Sequence, residues 1–243
     1  MFDLHTSPLS GTVALVTGGT RGLGRAVTLA LAERGFTVYA TGRTPETLES
    51  LRRDAGGLDV RPVAADVADV ASNAALAAHI AEEHGGLDVL VHNASLLGPR
   101  TPLADIDTDT FRRVLDVNVV GIHDLTRALA PLLRPGAAVL LVTSGVGVVG
   151  KAGWGAYSVS KFGVEALGQI LAGELTEQRV FVVDPGSMQT AMRAEAYPAE
   201  DPSALRHPDD NTEAILWALL EARGESASTR IKAQRWERPR KSA

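Results

Sequence analysis

The stretch Val13-Ala14-Leu15-Val16-Thr17-Gly18-Gly19-Thr20-Arg21-Gly22-Leu23-Gly24 joins a short apolar run to a glycine-rich turn. The run has the length and composition of a buried strand, and the residues after the turn predict a helix. Apolar residues recur there at helical spacing, at Leu23, Ala26, Val27, Ala30 and Leu31, before Gly35, which suits the end of a helix. A turn with the spacing GxxxGxG lets the backbone approach a pyrophosphate at the N-terminus of the helix. The stretch therefore favours a nucleotide-binding turn over one that merely needs glycine.

The alternation of strand and helix continues along the chain. Five further apolar runs predict strands, at Thr37–Ala40, Val60–Ala65, Val89–Val91, Ala138–Val142 and Val180–Val183. Four longer stretches predict helices. Ser72 caps the first, which runs through Ile80 and stops at Gly85, and Pro135-Gly136 closes the second, a long helix over Phe111–Leu133. The other two lie over Tyr157–Leu175 and near Glu213–Glu221. A last, edge strand is expected at Arg230–Gln234. The pattern predicts a doubly wound parallel sheet of about seven strands in a three-layer α/β/α domain over residues 1–243.

The composition narrows the classes of function. A formal net charge of −5 gives no general attraction to nucleic acid, and the absence of cysteine excludes disulfides, a thiol nucleophile and cysteine-ligated metal. The six histidines form no HxxxH or HxH motif, so we expect no metal site. The N-terminal residues do not resemble a signal peptide, and no apolar run approaches the roughly 18 residues that a membrane helix needs. We therefore expect a soluble cytoplasmic protein with neither nucleic acid nor membrane as a partner.

Tyr157 and Lys161 lie four residues apart within the helix predicted over Tyr157–Leu175 and so share one face of it. A neighbouring ammonium favours the phenolate, so we expect the pKa of Tyr157 to fall from its usual value of about 10 toward neutral pH. Ser144 stands upstream at the end of an apolar run. Taken singly, each has an ordinary alternative: a tyrosine packed in the core, a solvated lysine, and a serine in a turn before Gly145. Taken together, they predict a site for acid–base chemistry.

Several motifs in order along the chain resemble those of the short-chain dehydrogenase/reductase family in its compact single-domain form, which has a Rossmann-type fold. The motifs are Thr17-Gly18-x-x-x-Gly22-x-Gly24, Asp66-Val67, Asn93-Ala94, Asn118-Val119-Val120-Gly121, Ser144, Tyr157-x-x-x-Lys161 and Pro185-Gly186-x-x-x-Thr190. Any one of these motifs is weak evidence, but the ordered set covers nearly the whole chain.

The resemblance implies hydride transfer between a nicotinamide and a carbonyl or alcohol carbon, with a catalytic tetrad. Tyr157 would be the general acid or base, and Lys161 would lower its pKa and bond the nicotinamide ribose. Ser144 would donate a hydrogen bond to the substrate oxygen. Asn118 would bind a water that links Lys161 to solvent.

The resemblance also implies the cofactor contacts. The turn would face the pyrophosphate with Thr17, Gly18, Thr20, Arg21, Gly22, Leu23 and Gly24. Asp66 and Val67 would hold the adenine, while Asn93 and Ala94 would line the ribose on the nicotinamide side. The nicotinamide and its carboxamide would be bordered by Pro185, Gly186, Met188 and Thr190.

The end of the second predicted strand indicates the type of dinucleotide. An acidic residue there would accept the ribose hydroxyls of NAD, but Thr41-Gly42-Arg43 contains none. Arg43 can pair with a 2′-phosphate, and Arg21 in the turn adds a second charge. We therefore expect NADP(H), with NAD(H) as the alternative if both arginines are merely solvated.

Two departures from the family pattern stand out. The usual Asn-Asn-Ala-Gly after the fourth strand is replaced by His92-Asn93-Ala94-Ser95, so we expect Ser95 to narrow the floor near the nicotinamide and His92 to alter a contact that braces the sheet. The family's glycine-rich final strand is replaced by Thr229-Arg230-Ile231-Lys232-Ala233-Gln234. Residues 235–243 read as a flexible basic tail.

The expected substrate is a fairly apolar carbonyl or alcohol compound. The segment 187–211, rich in proline, alanine and acidic residues, reads as a mobile substrate-specificity loop with a short helix. Apolar residues fall in segments that would rim the site, although core packing is an equal alternative for them: Trp154, Leu96, Leu97, Met188, Met192 and Tyr197.

The leading interpretation is an NADP(H)-dependent carbonyl reductase or alcohol dehydrogenase. The alternatives are a catalytically silent NADP(H)-binding sensor or scaffold and a dehydrogenase that prefers NAD. The helices predicted over Phe111–Leu133 and Tyr157–Leu175 carry apolar residues on more than one face, so we expect a homodimer or homotetramer formed through them.

Overall fold

Seven parallel strands form a single sheet in the computed structural model, which describes residues 11–222 and 229–238. The strands are β1 (Val13–Val16), β2 (Thr37–Gly42), β3 (Val60–Ala64), β4 (Leu87–His92), β5 (Leu133–Val142), β6 (Arg179–Asp184) and β7 (Thr229–Lys232). They lie side by side in the order β3-β2-β1-β4-β5-β6-β7, and every pairing is parallel. The order reverses between β1 and β4, which is the switch point at which open α/β sheets bind ligands. The predicted fold class is confirmed.

Within the same residues, eight α-helices cover the two faces of the sheet. They are α1 (Gly22–Ala32), α2 (Pro45–Ala55), α3 (Val70–His84), α4 (Thr108–Leu115), α5 (Gly121–Leu129), α6 (Gly155–Glu174), α7 (Ala191–Ala196) and α8 (Thr212–Leu216). Helix α2 is an addition to the expected elements. The hydroxyl of Thr44 accepts from the N–H of Thr47 at its start, and Pro45 occupies the first helical position.

Helix α3 begins earlier than predicted. Asp69, not Ser72, is its N-terminal cap, because the Asp69 carboxylate accepts from the N–H of Ala71 at 3.0 Å. The predicted end is confirmed: Gly85 follows the last turn with a left-handed φ of 63°.

The long helix predicted over Phe111–Leu133 is present as one continuous helical run, but it is not regular. It consists of α4, a π turn at Asp116–Val120, α5 and a 3-10 turn at Ala130–Leu132, and the residues at the junctions keep right-handed helical backbone angles. Pro131 lies in that last turn, and a proline has no N–H with which to continue a helix. Leu133 is therefore the first residue of β5, not the last residue of a helix.

Alternate residues of β1 enter two separate cores, one on each face of the sheet. Ala14 and Val16 belong to the core that α1 and α8 cover, whereas Val13 and Leu15 belong to the core that α3, α5 and α6 cover. All four side chains are at most 1% exposed. Because a parallel sheet is buried on both faces, its strands read as continuous apolar runs in the sequence.

The segment 187–211 contains the expected short helix, α7, followed by single 3-10 turns at Pro202–Ala204 and Pro208–Asn211. A parallel bridge joins Met188 to Arg206 across the segment. Its mobility stays a prediction.

The last strand, β7, is followed by a 3-10 turn at Ala233–Arg235, so the predicted edge strand ends two residues early. In the segment expected to be a flexible tail, Trp236 packs on Trp217 with 5.5 Å between the ring centroids. Residues 239–243 of that segment lie outside the described residues. No helix in the described ranges has the length and apolar character to cross a bilayer, and the cytoplasmic location stays a prediction.

The turn after β1 brings α1 into close contact with the strand ends. Gly18 and Gly22 have left-handed φ values of 60° and 52°, which favour glycine. A Cβ on Gly24 would lie 2.2 Å from the carbonyl oxygen of Gly18 and 2.4 Å from Nδ2 of Asn93. The helix can pack this closely because the residue at position 24 has no side chain.

Replacing this glycine should disrupt the packing. Gly24→Ala should lower the free energy of unfolding by about 1 to 3 kcal/mol, because the added methyl group pushes α1 away from the turn. The control is Gly173→Ala, in exposed α6 backbone with nothing within 4 Å of the added Cβ. It should raise the free energy of unfolding by about 0.5 to 1 kcal/mol through helix propensity. Urea titration followed by circular dichroism measures both, and equal stability of the two variants would contradict the packing argument.

Candidate active site

A cavity of about 650 Å³ opens at the carboxyl ends of the central strands. Three expected site residues, Thr17, Gly24 and Asn118, are not part of its wall. The other expected residues all line it: Gly18, Thr20, Arg21, Gly22, Leu23, Arg43, Asp66, Val67, Asn93, Ala94, Ser144, Tyr157, Lys161, Pro185, Gly186, Met188 and Thr190. The fold therefore brings residues from nearly the whole chain to one site.

Thr17 and Asn93 join the ends of β1 and β4. The hydroxyl of Thr17 accepts from the N–H groups of Asn93 and Ala94, both at 3.0 Å. The side-chain amide of Asn93 donates in return to the carbonyls of Thr17 at 2.9 Å and Gly18 at 3.1 Å. Both amide hydrogens of Asn93 are thus used in bracing the glycine-rich turn.

The end of the cavity beside the glycine-rich turn is flanked by two arginines. Arg21 lies just before α1 and Arg43 just after β2, and both side chains are exposed. Burial alone would raise the pKa of Asp66. The carboxylate accepts from the N–H of Ala68 and pairs with Arg113, whose Nη2 lies 2.8 Å from Oδ2, and these contacts hold the pKa below its usual range. Asp66 is therefore an ionised acceptor at neutral pH, and its charge is already paired.

The phenol of Tyr157 is buried at the opposite end of the cavity, with the whole residue 8% exposed. Burial raises its pKa to about 12, and hydrogen bonding with Ser95 and Ser144 opposes that rise without overcoming it. The expectation that the pKa of Tyr157 falls toward neutral is therefore wrong here. Removing the hydroxyl from water penalises the phenolate more than its neighbours stabilise it.

Lys161 lies beside Tyr157 but does not direct its charge at the hydroxyl. Its Nζ is 5.5 Å from the centroid of the Tyr157 ring and donates to the carbonyl oxygen of Val142 at 2.9 Å. Burial lowers the pKa of Lys161 to about 8, and the nearby Glu165 carboxylate opposes that fall. The ammonium is thus held in place by the end of β5.

Asn118 acts as a structural clasp in the π turn between α4 and α5. Its Oδ1 accepts from the N–H of Leu96 at 2.7 Å and from the hydroxyl of Ser95 at 3.1 Å. Its Nδ2 donates to the carbonyl of Leu96 and to the hydroxyl of Ser160, both at 2.9 Å. These bonds use the full capacity of the amide. The expected water link to Lys161, which stays a prediction, would have to use the backbone of Asn118.

The two residues near the end of β4 that depart from the family pattern, His92 and Ser95, each have a role in the structure. Ser95, expected to narrow the floor of the site, donates its hydroxyl to Oδ1 of Asn118 at 3.1 Å, and its proximity to Tyr157 acts to lower the pKa of that phenol against the effect of burial. His92 is buried outside the cavity wall, and its Nε2 lies 2.9 Å from the hydroxyl of Thr126 on α5. Burial lowers the pKa of His92 to about 3, so the ring is neutral and braces the sheet.

A buried ionic network behind the site was missed in the sequence. Arg230 of β7 donates to Glu165 at 2.9 Å, to Asp184 at 3.2 Å and to the carbonyl of Ser144 at 3.4 Å. Glu165 also accepts from the hydroxyl of Thr143 at 2.8 Å. The atypical last strand thus ties the ends of β5 and β6 to α6. Glu165 lies one helical turn beyond Lys161, which was the available signal for its place in this network.

The end of the cavity beside Tyr157 is lined by apolar and aromatic side chains. Leu97, Trp154, Tyr157 and Ala196 form a small cluster against which Val146, Met192 and Tyr197 pack. Leu97, Trp154 and Met188 are both buried and part of the cavity wall. These three residues therefore both line the cavity and pack in the core, so the two interpretations do not exclude each other.

Comparison with known proteins agrees with this geometry. The sequence profile of the short chain dehydrogenase family matches residues 12–201. The chain belongs to the short-chain dehydrogenase family. It is an oxidoreductase of the class that acts on CH–OH and C=O groups. It is 37% identical over 228 residues to the uncharacterized oxidoreductase YciK of Escherichia coli (strain K12), covering 89% of this chain and 90% of that protein.

Two solved structures extend the likeness to the three-dimensional fold. A chain described as a short chain dehydrogenase from Shigella flexneri, complexed with NADP, superposes with a TM-score of 0.88 at 33% identity, over 93% of this chain and 98% of that one. A second, from Escherichia coli CFT073 and complexed with NADPH, gives a TM-score of 0.85 at 34% identity, over 93% and 98% of the two chains.

The buried lysine of this dehydrogenase should make its stability depend on pH. The pKa of Lys161 is about 8 in the folded protein and 10.5 in the unfolded chain. Below pH 8 both states carry the charge, whereas between pH 8 and 10.5 the unfolded chain binds more protons, so folding becomes more favourable as pH rises.

Lys161→Met removes this contribution. Between pH 7.5 and 10.5 the free energy of unfolding of the wild type should therefore rise relative to that of the variant, by roughly 2 to 3 kcal/mol. Groups common to both proteins cancel in the comparison. Urea titrations at pH 7.5, 8.5, 9.5 and 10.5 measure it, and a constant difference would mean that Lys161 does not titrate in this range.

Proposed function

We propose that this protein is an NADP(H)-dependent oxidoreductase that transfers a hydride between a nicotinamide and a carbonyl or alcohol carbon, with Tyr157 as the general acid or base. One observation carries the proposal. A single cavity is lined by the glycine-rich turn and Arg43 at one end and by Ser144, Tyr157 and Lys161 at the other. Such a cavity joins a phosphate-binding turn to an acid–base group.

The residues present fit a dinucleotide. The turn offers backbone and no side chain at Gly18 and Gly22, and the N-terminus of α1 favours anions. Asp66 would face the adenine end, and Arg21 and Arg43 would hold a 2′-phosphate. The nicotinamide end would be bordered by Lys161, Pro185, Gly186, Met188 and Thr190. When bound, the nicotinamide supplies or accepts the hydride.

The protein's own part in the reaction is to hold and move a proton. With a pKa of about 12, Tyr157 is protonated at neutral pH and ready to donate to a carbonyl oxygen. Ser144 can donate a hydrogen bond to the same oxygen while negative charge develops there. The phenolate that remains would be stabilised by the hydroxyls of Ser95 and Ser144. The protonated phenol is the form that reduction of a carbonyl needs.

The second candidate is a sensor or scaffold that binds NADP(H) without turnover. The arrangement of all four tetrad residues argues against it, since a binding protein has no need of a buried phenol beside Ser144 and Lys161. Incubating the protein with NADPH and a panel of aldehydes, ketones and quinones separates the two candidates. Tight NADPH binding with no consumption across the panel would favour the sensor.

Tyr157→Phe tests the role of the phenol. The variant should lose nearly all turnover, because the proton donor is gone, while the Kd for NADPH stays within a few-fold of the wild type. Tyr39→Phe is the matched control: it removes another buried tyrosine hydroxyl, which bonds Glu83 and lies outside the cavity wall. The control should keep its turnover. NADPH oxidation and fluorescence titration measure both quantities, and comparable activity in Tyr157→Phe would reject the assignment.

The preference for NADP(H) over NAD(H) is supported by the end of β2. No carboxylate follows β2 in Thr41-Gly42-Arg43, so the ribose hydroxyls of NAD lack their usual acceptor there. The guanidinium of Arg43 suits a phosphate instead. The neighbouring structures from Shigella flexneri and Escherichia coli, complexed with NADP and NADPH, support the same choice.

Arg43→Asp should reverse this preference. The new carboxylate repels the 2′-phosphate and can accept the ribose hydroxyls, so the ratio of kcat/KM for NADPH to that for NADH should fall at least tenfold. Arg34→Asp is the control, because it makes the same charge change on an exposed residue beyond the opposite end of α1. An unchanged ratio of kcat/KM for NADPH to that for NADH in Arg43→Asp would show that Arg43 does not set the cofactor preference.

We further propose that the protein assembles as a homodimer or homotetramer through α4, α5 and α6. Apolar side chains of the π turn and α6 remain exposed: Val120, Val159, Phe162 and Ile170, at 43 to 53%. Exposed apolar surface on adjoining helices is typical of subunit interfaces. Solution scattering should give a mass of two or four chains, and Phe162→Glu should shift it toward one chain. A monomeric mass for the wild type would contradict the assembly.

A further inference from the structure

Three cationic side chains surround the ring of Tyr197 at the substrate end of the cavity. The guanidinium carbons of Arg193 and Arg100 lie 4.0 and 4.5 Å from the ring centroid. The Nζ of Lys151 donates to the Tyr197 hydroxyl at 3.4 Å. Lys151, Arg193 and Tyr197 all belong to the cavity wall. The mouth that was expected to be apolar therefore carries a concentrated positive charge, which we call the Tyr197 cation cluster.

The cluster has fewer negative than positive charges. Arg193 is paired with Glu200 by two hydrogen bonds of 2.5 and 2.6 Å. Neither Lys151 nor Arg100 forms an ion pair with any carboxylate in residues 11–222 and 229–238. Three cations around one ring thus have one counter-charge.

The cavity wall offers no other negative partner. Its two acidic residues are already neutralised: Asp66 pairs with Arg113, and Asp184 pairs with Arg230. The positive potential at the mouth is therefore not cancelled by the protein in the described part of the chain.

Arg100 and Lys151 are exposed residues, but contacts with aromatic groups fix where their charges lie. The Arg100 guanidinium lies against the rings of both Trp154 and Tyr197, 4.6 and 4.5 Å from their centroids, and donates to the carbonyl of Ala196. A surface lysine or arginine without a function normally points its charge into water. Like charges fixed around one ring repel one another, so an arrangement of this kind favours an anion as its missing partner.

The aromatic rings connect the cluster to the reacting group. The Trp154 ring lies 5.8 Å from the ring of Tyr157 and 5.9 Å from the ring of Tyr197. A substrate that reaches from the Tyr157 hydroxyl to the cluster must therefore pass along the apolar wall that Trp154 provides.

We propose that the substrate of this oxidoreductase is an oxo acid in which an apolar aromatic or aliphatic spacer separates the carbonyl from a carboxylate. The carboxylate binds at Lys151, the spacer lies against Trp154, and the carbonyl oxygen faces Tyr157. Arg100 is not part of the cavity wall and adds positive charge beside Tyr197. The separation of the two ends disfavours a 2-oxo acid, whose two groups are adjacent. This inference rests on the proposed function, because it assigns the substrate of the same site.

The test compares two substrates that differ in charge and share the aldehyde and the ring: 4-formylbenzoate and its methyl ester, each with NADPH. The wild type should show a kcat/KM at least tenfold higher for the acid, mainly through a lower KM. In Lys151→Gln the acid-to-ester ratio should fall about tenfold, and Lys151→Arg, which keeps the charge, should restore most of it. Raising the salt concentration should also reduce the ratio, because the attraction is electrostatic. Arg34→Gln, which removes a charge far from the cavity, should leave the ratio unchanged.

A binding measurement separates the failure of this inference from the failure of the proposed function. Calorimetry should show that terephthalate, which carries the carboxylate and cannot be reduced as an aldehyde, binds the NADP⁺-saturated wild type at least tenfold tighter than Lys151→Gln. Equal acid and ester kinetics, or equal terephthalate affinity in the two proteins, would overturn the oxo-acid assignment and leave the oxidoreductase standing. Charge-dependent terephthalate binding without any NADPH consumption would support the anion site and count against turnover.

Discussion

The hydrogen bonds between Thr17 and Asn93 hold the ends of β1 and β4 together, and the whole site opens from this junction. The chain segments that leave β1 and β4 diverge here because the order of the sheet reverses, so these segments would otherwise be free to separate. The Thr17 hydroxyl accepts from two backbone N–H groups, and the Asn93 amide closes on the carbonyls of the glycine-rich turn. With the junction fixed, Gly24 can bring α1 against the turn and aim its N-terminus into the cavity.

Burial sets the chemistry at the other end of the cavity. Both groups are removed from water, so the pKa of Tyr157 is raised and the pKa of Lys161 is lowered. The phenol therefore keeps its proton at neutral pH. The pair is thus poised with a proton to give. Behind it, Arg230 ties Glu165 and Asp184 to the end of β5, so the last strand of the sheet helps to fix the position of Ser144.

Sequence patterns predicted the elements whose cause is local. The apolar runs predicted the central strands because these are buried on both faces, and the glycine spacing predicted the turn because only glycine permits the approach of Gly24 to Gly18. The π turn within the long helix predicted over Phe111–Leu133, and the exact end of that helix, were missed for the opposite reason. Its apolar periodicity continues through the π turn and Pro131, and the pairing of Leu133 with Leu87 in the sheet is a contact between distant residues.

The sequence by itself determined the order of the strands and the glycine-rich turn, and it predicted the four residues of the proposed tetrad, because these are written in short-range spacing and in ordered motifs. The tertiary structure alone decided the direction in which the pKa of Tyr157 shifts, the use of Asn118 as a clasp and the meeting of Arg100, Lys151 and Arg193 around Tyr197. Each of these depends on burial or on side chains from separate segments that come into contact when the sheet and its helices have packed. Neither burial nor such contacts have a signature in the spacing of neighbouring residues.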